Sequence, residues 1–212
     1  TVSPGEVLTR WQGSEKRIDA ALTDAEQSAA SLRARMIALQ EELDWQCYRL
    51  YGLIEAKDDL EWPEDRLDEL PELSLGERAF EILIARQMAA GELETTWFER
   101  HKHAGSKPIT EIPAHWPEAF RQLVERRLAC IESNKNINLI ERPEYKRRWN
   151  TKPWAERQTE ALRQWLLARL EAYAYEGERM VEAEDEAIKE RILGLVKKAR
   201  ANFPAGSEPQ IG

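Results

Sequence analysis

Apolar residues recur along the first quarter of the chain at alternating steps of three and four: Leu8, Trp11, Ile18, Leu22, Ala25, Ala29, Leu32, Met36, Leu39, Leu43 and Leu50, with Glu15 and Gln46 interrupting. This spacing draws one apolar stripe along a helix, the seam of a heptad pattern. Ser3-Pro4-Gly5-Glu6 reads as a capping box: Ser3 caps, Pro4 takes the first helical position and Glu6 reaches back to the cap amide. A helix continuous to Tyr51 is about 70 Å long. Gly13 allows a conservative start near Ser14. Gly52 supplies a left-handed stop, after which Leu53 can fold back onto Tyr48. Leu32, Met36, Leu39 and Leu43 are expected to be buried, either against later helices of this chain or against a partner chain. Packing within the chain is favoured, because four further amphipathic helices need a surface to cover.

Residues 54–73 are acidic and proline-punctuated, and read as a connector. Ser74-Leu75-Gly76-Glu77 is a second capping box, opening a helix with Ala79, Phe80, Leu83, Ile84 and Met88 that stops at Gly91. A helix over 92–101 carries Trp97 and Phe98, and 102–116 is a loop. Pro117 fits a helix's first turn, and Phe120, Leu123, Val124, Arg127, Leu128 and Ile131 make an amphipathic face. Residues 134–152 are irregular. Pro153 opens a helix through Trp165 and Leu170, and a last helix spans 178–201. No period-two run of useful length appears. The fold class is therefore all-α: a long N-terminal helix with four to five shorter helices packed along it. The expected organisation is a heptad-patterned helix over 1–53, an acidic connector over 54–73, a helical domain over 74–203 and a disordered tail over 204–212.

With 42% hydrophobic and 33% charged residues, the chain has a globular composition. Its net charge of -8 means that nucleic acid could be met only through a local basic patch. No run of about 18 apolar residues could span a membrane. Two cysteines, Cys47 and Cys130, suit a reducing compartment, so a cytoplasmic setting is expected. The first residue is Thr1, and both ends read as cuts through a longer polypeptide.

One such patch exists. Arg142, Lys146, Arg147, Arg148 and Lys152 interleave with Tyr145, Trp149 and Trp154. Cations can contact phosphates while aromatic faces stack on bases. The alternative is a solvated turn whose arginines pair with acidic neighbours and whose tryptophans are core. His101, His103 and His115 lack neighbouring ligands at metal-site spacing, so no metal is expected. Cys47 and Cys130 read as small hydrophobes rather than nucleophiles. Trp45, Trp97, Trp116 and Trp165 sit in apolar contexts that favour core packing. Nucleophile-elbow, P-loop and dinucleotide-binding glycine patterns are absent.

Glu42-Leu-Asp-Trp-Gln-Cys-Tyr-Arg-Leu-Tyr-Gly-Leu53 resembles a segment of adenine-specific DNA methyltransferases and fused restriction-modification enzymes. Four further stretches resemble one branch, the PglX-type methyltransferases of phage growth limitation and type 2 BREX phage-defence systems. They are Phe80–Arg86, Trp97–His101, Pro108–Pro117 and Ile140–Trp149. The resemblance implies S-adenosylmethionine-dependent transfer of a methyl group to adenine N6 in a parent enzyme. It also implies that this segment is a non-catalytic region. The glycine-containing cofactor loop and the Asn/Asp-Pro-Pro-aromatic motif are missing, and Asn150-Thr-Lys-Pro-Trp154 only mimics the latter. No catalytic or cofactor-binding residue carries over. The expected role is scaffolding of the catalytic and target-recognition parts, with contact to the DNA backbone or to other phage-defence proteins. The rival reading is a coiled-coil interaction module without a nucleic-acid role.

Overall fold

The computed structural model describes residues 2–11, 18–149, 151–181, 190 and 192–198. The regular structure among them is helical: α1 (Pro4–Arg10), α2 (Ile18–Leu50), α3 (Ala79–Ala89), α4 (Trp97–Arg100), α5 (Glu118–Ser133), α6 (Lys135–Ile140) and α7 (Trp154–Val181), with short 3-10 turns between α2 and α3 and after α4. Contacts divide the chain into two compact units, residues 1–27 with 154–212, and residues 28–153. The boundaries expected at 53 and 74 fall inside the second unit.

In the first unit, the capping box at Ser3 forms as expected: Ser3 Oγ accepts from the Glu6 amide at 3.3 Å, and the Glu6 carboxylate accepts from the Ser3 amide at 3.2 Å. The helix it opens is short. Trp11 adopts extended backbone (φ -72°, ψ 114°), so no single helix runs from Ser3 to Tyr51. The expected start near Ser14 lies outside the described residues. α1 packs against α7, burying Leu8, and Trp11 meets the edge of Trp165 at 6.1 Å. Leu22, Ala25 and Ala174 are also buried in this unit. α7 passes through Gly177 without a break, in place of two helices parted before residue 178. Residues 190 and 192–198 are helical; the rest of the expected 178–201 helix and the tail at 204–212 lie outside the described residues.

The second unit is built on α2, which is 33 residues and about 50 Å long. It ends as its sequence dictates. Gly52 has φ 70°, its amide bonds the Arg49 carbonyl, and the Leu53 amide reaches the Tyr48 carbonyl at 2.9 Å. These two bonds satisfy carbonyls that the last turn leaves open. Gly91 closes α3 in the same way, at φ 73°.

The core of this unit joins Ile37, Ala38 and Trp45 of α2 to Ile82 and Leu83 of α3, Ile137 of α6, and Phe120, Leu123, Val124, Leu128 and Ile131 of α5. All six positions expected on the α5 face are buried, Arg127 among them. The acidic connector is more than a spacer. Ile54, Leu60, Trp62, Leu70 and Leu73 plug into the same core, while its carboxylates stay outside it. Arg35 holds this strap by donating to the carbonyls of Leu67 and Leu70.

Several expectations are corrected here. Leu32, Met36, Leu39 and Leu43 are not buried but 50%, 51%, 38% and 51% exposed. The inward face of α2 carries Ile37, Ala38, Glu41, Glu42 and Trp45. At about 100° per residue the two stripes lie on nearly opposite sides of the helix. Pattern reading discounts glutamates as core, yet both are buried because partners meet them. The Ser74–Glu77 box forms only a turn: the Glu77 carboxylate accepts from the Ser74 amide at 2.6 Å, and α3 begins later, at Ala79. The helix expected over 92–101 shrinks to α4. Residues 134–152 are not wholly irregular, since Asn134 caps α6 by accepting from the amides of Asn136 and Ile137 at 3.0 and 3.3 Å.

Candidate functional site

Buried charges of the second unit collect where α2, α3 and the turn after α6 meet. Arg78 precedes α3 and Glu81 sits in its first turn, so the two side chains are neighbours three residues apart. Glu81 Oε1 accepts from Arg78 Nη2 at 2.8 Å and Trp97 Nε1 at 3.0 Å; Oε2 accepts from Arg78 Nε at 2.9 Å and the Gly76 amide at 2.7 Å. Glu41 of α2 accepts from the Ala79 amide at 3.2 Å, fastening α2 to the start of α3. The Arg78 guanidinium lies 4.6 Å from the Phe80 ring centroid and donates to the Arg147 carbonyl at 3.0 Å. The base of the basic turn is thereby tied to α3.

Lys146 is the second tie. Its ammonium donates to Glu141 Oε1 at 2.6 Å, Asp44 Oδ2 at 2.9 Å and Tyr48 Oη at 3.0 Å, and the Tyr48 hydroxyl donates to Glu141 at 2.6 Å. Burial, with the Lys146 ammonium pulling back and Glu41 adding to the rise, pushes the Glu141 carboxyl up to about 7. Burial and Glu141 together push the Tyr48 hydroxyl above its ordinary range. Burial works against the charge of Lys146, yet Glu141 and Glu41 outweigh it and raise the ammonium. The group stays charged because desolvation is compensated by several acceptors.

The five basic residues singled out in the sequence are thus divided. Arg142, Arg147, Arg148 and Lys152 are exposed, but Lys146 is turned inward and only 6% exposed. Its ammonium is saturated by three acceptors of the chain, so the surface patch lacks it. Of the interleaved aromatics, Tyr145 is exposed, Trp149 is core and Trp154 is half-buried. Arg147 stacks on Trp149 with its guanidinium 4.3 Å from the ring centroid. Trp45, Trp97 and Trp116 are buried, and Trp165 is half-buried.

Beside this turn lies a cavity of about 130 Å³, lined by Thr95, Thr96, Trp97, Arg100 and His101 on one side and by Pro143, Glu144 and Arg148 on the other. His101 is buried, not a loop residue facing solvent. Its Nδ1–H donates to the Trp97 carbonyl at 2.7 Å, its ring lies 4.2 Å from that of Trp97, and its Nε2 has no hydrogen-bond partner. His103 and His115 are exposed. No group of three potential metal ligands forms among the described residues. Cys47 and Cys130 are half-buried free thiols, and burial pushes the Cys130 thiol up.

Sequence reasoning missed the buried carboxylates Glu41, Glu42, Glu81 and Glu141. One signal was present. Arg127 stands amid five apolar residues on the α5 face, and a charge there requires a buried partner.

The chain belongs to the family described as Domain of unknown function (DUF7008), whose model matches residues 36–201. It is also similar to "Adenine-specific methyltransferase PglX" of Streptomyces coelicolor (strain ATCC BAA-471 / A3(2) / M145), with 54% identity over 151 residues. That stretch is 71% of this chain and 12% of the relative, so the chain matches a small part of a much longer protein. No solved structure matches.

Proposed function

We propose that this chain is a helical region of an adenine-specific DNA methyltransferase of phage-defence type. In this reading it scaffolds the catalytic and target-recognition parts and lays its basic turn against the DNA backbone. The observation that carries the reading is the 54% identity to a segment amounting to 12% of PglX. S-adenosylmethionine binding and the adenine clamp would then belong to the rest of the parent enzyme. Two surfaces support the role. The stripe Leu32, Met36, Leu39 and Leu43 offers apolar area to another helix of such a parent. Arg142, Arg147, Arg148 and Lys152 offer cations that would contact phosphates without reading bases.

Duplex binding, followed by fluorescence anisotropy over a range of salt, tests the backbone contact. Each phosphate that is no longer neutralised should reduce the slope of log K against log salt by roughly 0.9. Arg142→Glu, Arg147→Glu and Arg148→Glu together should weaken binding equally on unrelated sequences and flatten that slope. Absence of binding at low salt would remove the DNA role and leave the scaffold. The exposed heptad stripe also favours a second reading, an interaction module that pairs with another helix and never meets DNA. Sedimentation of the isolated chain separates them, since self-association through the stripe belongs to the second.

A further inference from the structure

We infer that the cavity between α4 and the turn after α6 is a binding site for a phosphate-class oxyanion. Two arginines distant in sequence converge on it, Arg100 at the end of α4 and Arg148 at the end of the turn. Arg35, Arg49, Arg66, Arg78, Arg121, Arg126 and Arg127 are each paired with a carboxylate. Among the described residues, neither Arg100 nor Arg148 has such a pair. In a chain of net charge -8, two guanidinium groups without a carboxylate partner line one concavity. Glu144 also lines the cavity, so its charged lining counts two cations against one anion.

The lining suits a tetrahedral oxyanion. A guanidinium offers a planar fork of donors that matches phosphate oxygens two at a time. Thr96 adds a hydroxyl, while that of Thr95 already accepts from the Trp97 amide at 3.2 Å. A cavity of about 130 Å³ is well above what a single water requires and accommodates one phosphate group.

The frame is stiff. Trp97 is held by Glu81, the Arg147 carbonyl by Arg78, and Lys146 by Glu141, so the backbone leading into Arg148 is anchored. His101 forms part of the wall. The Trp97 carbonyl can only accept, so Nδ1 carries the proton and Nε2 presents a buried lone pair without a partner.

The phosphate could come from a DNA backbone or from a free phosphate or phosphomonoester. The first source deepens the backbone contact proposed above; the site itself does not depend on it. The test is NMR of the 212-residue chain carrying ¹⁵N-labelled histidine, with His103 and His115 as internal references. Titration with inorganic phosphate should move the His101 ring signals saturably at millimolar concentration. Arg100→Gln or Arg148→Gln, both at exposed positions, should abolish that movement. Lys135→Gln, an exposed position on α6 outside the cavity, should preserve it. A short duplex lacking terminal phosphates should move the same signals if the source is DNA. Movement with inorganic phosphate alone keeps the site and assigns it to free phosphate or monoesters. If neither titrant moves His101, or if both arginine variants respond like wild type, the proposal is overturned.

Discussion

Arg127 Nη2 on α5 meets Glu42 Oε2 on α2 at 2.7 Å, with side chains that are 0% and 3% exposed. The same carboxylate oxygen accepts from the Trp62 amide, and Arg127 Nε donates to the Leu60 carbonyl, both at 2.9 Å. One ion pair therefore fastens α2, α5 and the acidic strap together. Such a pair gains its Coulomb energy at the cost of dehydrating both ions, and removing one partner strands the other.

Arg127→Leu is expected to cost about 3–5 kcal/mol, because it leaves the Glu42 charge buried alone. The double variant Arg127→Leu/Glu42→Leu should lose much less than the sum of the two single changes. Glu42 Oε1 and Arg127 Nη1 lack partners even in the native state, which favours apolar replacement of both. Urea unfolding of the four proteins checks this, and simple additivity would refute the coupling.

Glu141 makes stability depend on pH. Its carboxyl rises from 4.5 to about 7 on folding, chiefly through burial. A group whose value is raised by folding contributes stability below its unfolded value and loses it as pH climbs through the folded value. Stability is therefore expected to fall between pH 4.5 and about 7 on this group's account. Glu141→Gln, which holds no titrating proton, should flatten that limb in urea midpoints measured across the window. An unchanged slope would place the effect elsewhere.

Two glycines should respond differently to a side chain. At Gly76, with φ 102°, an added Cβ would stand 2.0 Å from the Lys107 carbonyl oxygen. At Gly52, with φ 70°, it would meet nothing within 4 Å. Gly52→Ala should cost on the order of 1 kcal/mol, the conformational penalty alone. Gly76→Ala should cost clearly more, because the two loops must separate. Thermal melts of both variants give the comparison, and equal losses would contradict it.

Substitutions on the exposed stripe should spare the fold. Met36→Lys and Leu43→Lys are expected to change stability by about 0.5 kcal/mol or less, within the range of ordinary surface changes. In a full-length PglX-type relative the matching changes should weaken resistance to limited proteolysis if the stripe seats another helix. A drop of several kcal/mol in the isolated chain would mean that the stripe is packed after all.

Local signals are legible directly in the sequence. The stops at Gly52 and Gly91, the cap at Ser3 and the six-residue face of α5 depend on neighbours a few positions away, and each is present. The helical class follows from the same short-range periodicity. The capping signal at Ser74 misleads because a Ser-x-x-Glu turn satisfies the same amide whether or not a helix follows.

Which side of α2 faces inward is a tertiary decision. Leu32, Met36, Leu39 and Leu43 form the more continuous apolar series, yet Ile37, Ala38 and Trp45 lie in the core beside Glu41 and Glu42. Those glutamates are tolerated inside only because the Ala79 amide, Arg127 and the Trp62 amide arrive from later in the chain. Lys146 is likewise indistinguishable in sequence from the exposed arginines around it. It turns inward because Asp44 and Tyr48, about a hundred positions earlier, complete with the buried Glu141 a set of three acceptors that water would otherwise have to replace. Local signals mark helix stops such as Gly52 and Gly91; the burial of a charge depends on partners that only the folded chain brings within reach.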